Sequence, residues 1–162
     1  MHKEIKNVRI GLFLVILTLV FGLGLGVSFG VNEDSFKSYI TTGISAHPEV
    51  HDNKSEDKIW RYAQRAHFHA TGIAAFSIGL VILTMISSLS AKLKSIAAIL
   101  IGLGGLYPLS WLSMFILAPS IGRDAAHHHI ITETFTYIGV FGLFAGIGLV
   151  SSNFFLGCYR QN

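Results

Sequence analysis

The sequence predicts an all-α protein, an integral membrane four-helix bundle with its N- and C-termini on the same, inner side. Three observations lead there. Four long stretches carry almost no charge, at about residues 10–31, 67–91, 95–120 and 128–152. Hydrophobic residues make up 51% of the chain and charged ones only 13%, about half the charge of an ordinary soluble domain. Glycine occurs 17 times, a frequency that suits membrane helices better than soluble ones. A soluble chain of 162 residues has too small an interior to bury apolar runs of this length. Residues 1–162 are therefore read as one transmembrane domain.

Each stretch exceeds the roughly 20 residues that a helix needs to cross about 30 Å of hydrocarbon. The first follows Lys3, Lys6 and Arg9, like the h-region of a signal peptide, but it outlasts the roughly 7–15 apolar residues of such a region. It is kept as a span. Residues 32–66 form the one sizeable extramembrane loop. Within it, Asn53 with Glu56 three residues later resembles a capping box. Ile59, Tyr62 and Ala66 then share a face, so the second helix is expected to start near Ser55. Lys92-Leu93-Lys94 is read as a tight hairpin between spans two and three, and Pro119 to Ala126 as the link between spans three and four. Pro108 should kink span three, because proline lacks an N–H and clashes with the preceding turn. Gly22, Gly26 and Gly30, and Gly142 with Gly146, repeat every four residues. That spacing lets backbones approach closely, in tight helix packing or against a flat cofactor.

Six basic residues fall at each end: Lys3, Lys6, Arg9, Lys92, Lys94 and Arg160, against Lys37, Lys54, Lys58, Arg61, Arg65 and Arg123. Only their higher density in short segments favours the first set as cytoplasmic. The net charge of +3 comes from these span ends and not from a patch, so no nucleic-acid partner is expected. The bilayer is the expected partner. Cys158, the one cysteine, excludes an internal disulfide or a cysteine metal cage.

Seven of eight histidines share one end of the bundle: His47, His51, His67, His69, His127, His128 and His129. His67 and His69 lie about 200° apart on a helix, so only one is expected to face inward. His69 leads a face through Gly72, Ile73, Phe76 and Leu80. His129 leads one through Thr132, Glu133 and Thr136. These two faces are expected to oppose one another. Glu133 is the one carboxylate well inside a span, where an ionisable group signals function with a named partner. It is a candidate metal ligand, an acceptor that orients an imidazole N–H, or a proton carrier. Arg123 and Asp124 precede it and can cap the cluster. In His47-Pro48-Glu49-Val50-His51 the proline opposes a helix, so that pair is read as solvated loop. Trp60 and Tyr62 read as interfacial anchors, and Tyr107 and Trp111 as anchors or cofactor walls.

The segment Ala66-His67-Phe68-His69-Ala70-Thr71-Gly72-Ile73 resembles a helix opening, histidine-x-histidine followed by glycine, in small bacterial membrane proteins related to the haem–copper oxidase superfamily. Gly72 falls one position early for that pattern. The resemblance covers residues 66–73 and implies haem or metal chemistry near the outer membrane surface. With four spans and few histidines, the chain does not inherit oxidase activity from it. On this reading the protein sits in a bacterial inner (cytoplasmic) membrane, with the long loop and histidine cluster periplasmic.

Three function classes follow. The first is a haem b protein for electron transfer or haem handling. Its axial pair would be His69 and His129, with His67 and His128 as substitutes and Arg123 on the propionates. The second is a copper, zinc or iron site drawn from His67, His69, His127, His128, His129 and Glu133. The third is an accessory, transport or proton-relay subunit working with respiratory or redox membrane proteins, or as a homo-oligomer. Whether the protein is an enzyme is left open.

Overall fold

The computed structural model describes residues His2–Tyr159. Arg160 and the side chains of His2 and Lys3 lie outside that description. No strand occurs among the described residues. The helices are α1 (His2–Ala46), α2 (Ser55–Ile86), α3 (Ala91–Leu103), α4 (Tyr107–Ile121), α5 (Arg123–His127) and α6 (Ile130–Leu156). Four segments are long and apolar enough to cross a membrane: α1, α2, α3 continued into α4, and α6. The protein is an all-α, membrane-integral helix bundle.

Segment 32–66 differs most from expectation. Residues 32–46 continue α1 as helix beyond a break at Asn32, whose backbone leaves the helical region (φ −142°, ψ 37°). The Asn32 side chain accepts a hydrogen bond from Ser35 Oγ at 2.6 Å, and Glu33 and Asp34 supply acid to the new first turn. These are the ingredients of a helix start. With α2 beginning at Ser55, the connection is confined to the short stretch 47–54, which holds a 3-10 turn at Pro48–Val50. At a rise of about 1.5 Å per residue, the 45 residues of α1 and the 32 of α2 reach about 68 and 48 Å. Both outrun about 30 Å of hydrocarbon, so their paired ends project beyond it.

Asp52, not Asn53, ties down the start of α2. Its carboxylate accepts from Ser55 Oγ (2.9 Å) and from the Lys54 amide (3.0 Å). The turn between α2 and α3 lies at 87–90, earlier than expected. Ser90 caps α3 by accepting from the Leu93 amide, and Lys92 and Lys94 belong to the first turn of α3. Lys94 is only 7% exposed because its ammonium donates to Glu4 (2.7 Å) and to the Met85 carbonyl (2.8 Å). That clasp joins α1, α2 and α3 at the end that carries both termini.

Span three breaks where Pro108 predicts. Residues Gly104–Leu106 form a 3-10 turn, and the fully buried Pro108 stands in the first turn of α4, where its missing N–H has no helical partner to lose. Span three is also the hub of the packing. It touches α1, α2 and α6, whereas α2 barely meets α6. One apolar core (Val15, Ala74, Val81, Ala98, Ile101, Val150) fills the end with the termini. A second (Ile40, Ile59, Ala63, Phe115, Ala118, Ala126) fills the histidine end.

Candidate functional site between α4, α5 and α6

The glycine rows decide which helix faces meet. On α6, a Cβ at Gly139, Gly142 or Gly146 would strike α3, α4 or their side chains, whereas Gly148 faces open space. On α1, Gly22 and Gly26 press on α2, and Gly30 faces open space. Gly26 makes room for the His67 ring, whose Nδ1 lies 2.8 Å from the Gly22 carbonyl. His67 therefore reaches α1, beside Phe29. His69 reaches the opposite neighbour, α4, stacked on Trp111 (centroids 5.7 Å, planes 17° apart) and edge-on to Tyr107 (5.0 Å). Arg65 covers the Trp111 ring at 4.7 Å. Both imidazoles thus contact helices, contrary to the expectation of one, because α2 runs between α1 and α4.

The face from His129 through Thr132, Glu133 and Thr136 packs against α4 and not against α2. Thr132 is buried; its hydroxyl donates to the Ala126 carbonyl (2.8 Å) and meets Ser113 Oγ (2.9 Å). Ser113 donates to the Ser110 carbonyl, and Ser110 to that of Tyr107. His129 is spent as the cap of α6, its Nδ1 accepting from the Ile131 amide. The expected opposition of His69 and His129 is not formed: Tyr107 and Trp111 of α4 occupy the space beside His69, and α4 separates the two helices.

What does come together is His128 and Glu133. Nδ1 lies 3.2 Å from Oε1, and the His127 ring stands edge-on to His128 at 4.8 Å. Glu133 is half-buried and His128 exposed. A cavity of about 150 Å³ opens between them and Tyr107, Ser110, Trp111 and Thr136. His127 and His128 also border a wider, polar hollow of about 560 Å³ with Val50, Tyr62, Arg123 and Asp124. Gly122 makes this corner possible, since its φ of +81° reverses the chain between α4 and α5 in a region that side chains avoid.

Arg123 is drawn to the 47–54 stretch, where it pairs with Asp52 at 2.9 Å. The Ser55 hydroxyl, then the Lys54 amide and Arg123, hold the Asp52 carboxyl below the usual carboxylate range, partly opposed by desolvation. His51 Nε2 reaches the Pro119 carbonyl (3.0 Å), and His47 lies near Glu49 (3.7 Å). Those two histidines fasten or edge the loop and take no part in the cavity.

Ser110 and Ser113 were not anticipated as part of the site. Their spacing of three, facing Thr132 across a helix contact, is the signal that could have found them. The geometry bears on each expected cofactor. The imidazoles of His67, His69, His128 and His129 turn to four different neighbours. Among the described residues no three His, Cys, Asp or Glu side chains gather as a ready metal cage. No family model, curated protein or solved structure matches the chain.

Proposed function

We propose that this membrane protein handles protons at its histidine end, as an accessory or transport subunit, with Glu133 and His128 as the exchanging pair. The observation that carries this reading is the 3.2 Å approach of His128 Nδ1 to Glu133 Oε1 on a cavity wall. Glu133 lies in the first turn of α6, and an ionisable group within a span is expected to have a partner. With its proton on Nδ1, His128 donates to the carboxylate and presents Nε2 as an acceptor. Nε2 is then the atom through which the pair can take up or release a proton. The hydroxyls of Thr132, Ser113 and Ser110 lie in the same contact between α4 and α6.

The test is infrared difference spectroscopy across a pH step, on the full chain in lipid nanodiscs. Wild type is expected to show a carboxyl change coupled to an imidazole change. Glu133→Gln should abolish the first and alter the second, and His128→Ala should alter the carboxyl signal. Identical spectra for wild type and Glu133→Gln would remove the pair from the mechanism.

One observation favours a second reading, capture of a copper, zinc or iron ion. The Glu133 contact orients His128 as carboxylates orient metal-bound histidines, leaving Nε2 available, with the His127 ring beside it. Untagged protein would then bind such an ion in a manner lost in His127→Ala and His128→Ala. Binding unaffected by both substitutions would sink it. A bacterial inner membrane, with this end periplasmic, is the setting in which a proton or metal site facing out of the cell would act.

A further inference from the structure

At the end that carries the termini, a cavity of about 430 Å³ is lined by Lys6, Asn7, Arg9, Ile10 and Ser95. It joins the first turns of α1 to α3. Lys6 and Arg9 are both exposed, and no ion pair reaches either among the described residues. Glu4, the neighbouring acid, is drawn to the buried Lys94 and to Asn7. The cavity therefore offers an ammonium, a guanidinium and a hydroxyl, while its Asn7 amide donates to Glu4, which is not among the lining residues. That donor set suits a phosphate, which guanidinium binds through paired N–H groups.

The apolar side of the cavity identifies the source of the phosphate. Ile10 is 51% exposed, and Phe13, Leu17 and Val20, also well exposed, continue from it along the same side of α1. These positions, three or four apart, form one stripe within the span that crosses the membrane. A ligand seated here has its charged group between Lys6 and Arg9 and its tails along that stripe. We propose that this cavity binds the phosphate headgroup of an anionic phospholipid, with the acyl chains lying along Ile10, Phe13 and Leu17. Basic pockets at helix ends are suited to this use, and a soluble phosphate would leave the stripe unused.

The experiment measures lipid retention by native mass spectrometry, on full-length protein exchanged from micelles doped with phosphatidylglycerol, phosphatidylcholine or both. Wild type should retain phosphatidylglycerol preferentially. Each cation near the surface contributes roughly fivefold, so Lys6→Gln with Arg9→Gln should lower the preference roughly thirtyfold. Lys58→Gln with Arg61→Gln, at the opposite end, should leave it intact. Equal retention of both lipids by wild type would overturn the proposal without reference to any variant. So would a preference that survives the Lys6/Arg9 double substitution. Displacement of the lipid by millimolar inorganic phosphate would also overturn it, by making the cavity an anion site and not a lipid site.

Discussion

The contact that builds the candidate site is open to a direct test at Gly139. A Cβ there would sit 2.6 Å from the Tyr107 backbone nitrogen and 3.1 Å from its Cα. Neither atom can swing aside as a side-chain tip would. Restoring ordinary contact at about 3.4 Å requires α6 to withdraw by about 0.8 Å from the start of α4. Overpacking of this kind costs about 1–3 kcal/mol. Replacing a helical glycine with alanine also returns up to about 1 kcal/mol of helix propensity, which hides part of the penalty. Gly148 provides the correction, since it lies on the same helix with nothing within 4 Å. The propensity gain cancels between the two variants, so Gly139→Ala should be less stable than Gly148→Ala by about 1–3 kcal/mol. Unfolding in mixed micelles of rising SDS fraction, followed by circular dichroism, measures that difference. Trp111 fluorescence should also shift in Gly139→Ala, because Tyr107 and Trp111 share the cavity wall. Equal stability of the two variants, or the reverse order, would refute the α4–α6 contact and the cavity derived from it.

Glu4→Gln should cost about 1–2 kcal/mol by leaving the buried Lys94 ammonium without its anion, a figure reduced because Glu4 is partly exposed. Lys94→Met should be better tolerated, and the same SDS titration ranks the two. Gly26→Ala should destabilise, by less than Gly139→Ala, because its Cβ would lie 2.6 Å from His67 Cε1 and push the ring off the Gly22 carbonyl, while Gly30→Ala, facing open space, should not; thermal melts in detergent compare them. Asp52 has a lowered carboxyl pKa in the folded state. Its contribution is therefore present above the ordinary aspartate pKa and is lost as pH falls through the folded value. Protection of the Lys54 amide against exchange, relative to its intrinsic rate, should fall below about pH 4 in wild type and be lost at all pH values in Asp52→Ala. Exchange that does not respond to either change would remove Asp52 as the anchor of the α2 start.

The four spans were legible because a membrane demands apolar runs of a length that little else requires. Pro108 was legible because its effect on a helix is local. Helical phase also held: Thr132, Glu133 and Thr136 do share a packed face. What phase cannot supply is the partner of a face, and here the partner is α4 where α2 was expected. The helix over 32–46 was missed because it lacks an apolar run, although Asn32 followed by Glu33 and Asp34 is a start signal. Lys92 and Lys94 suggested a turn because charge usually marks one. Burial of Lys94 depends on Glu4, 90 positions away, and no local pattern reveals such a pairing.

The two apolar cores lie in different solvents, and this has a thermal consequence. Helices embedded in lipid associate through close packing, with no expulsion of water to drive them. The core around Ile40, Ile59 and Ala63 lies instead where α1 and α2 outrun the hydrocarbon, so its cohesion is hydrophobic in origin. Such cohesion weakens on cooling and carries a heat-capacity signature that lipid-embedded packing lacks. Chilling should therefore loosen the projecting end first, and with it Ala126, whose carbonyl holds Thr132 at the edge of the cavity. The membrane half would act as a temperature-insensitive pedestal beneath a cold-labile crown.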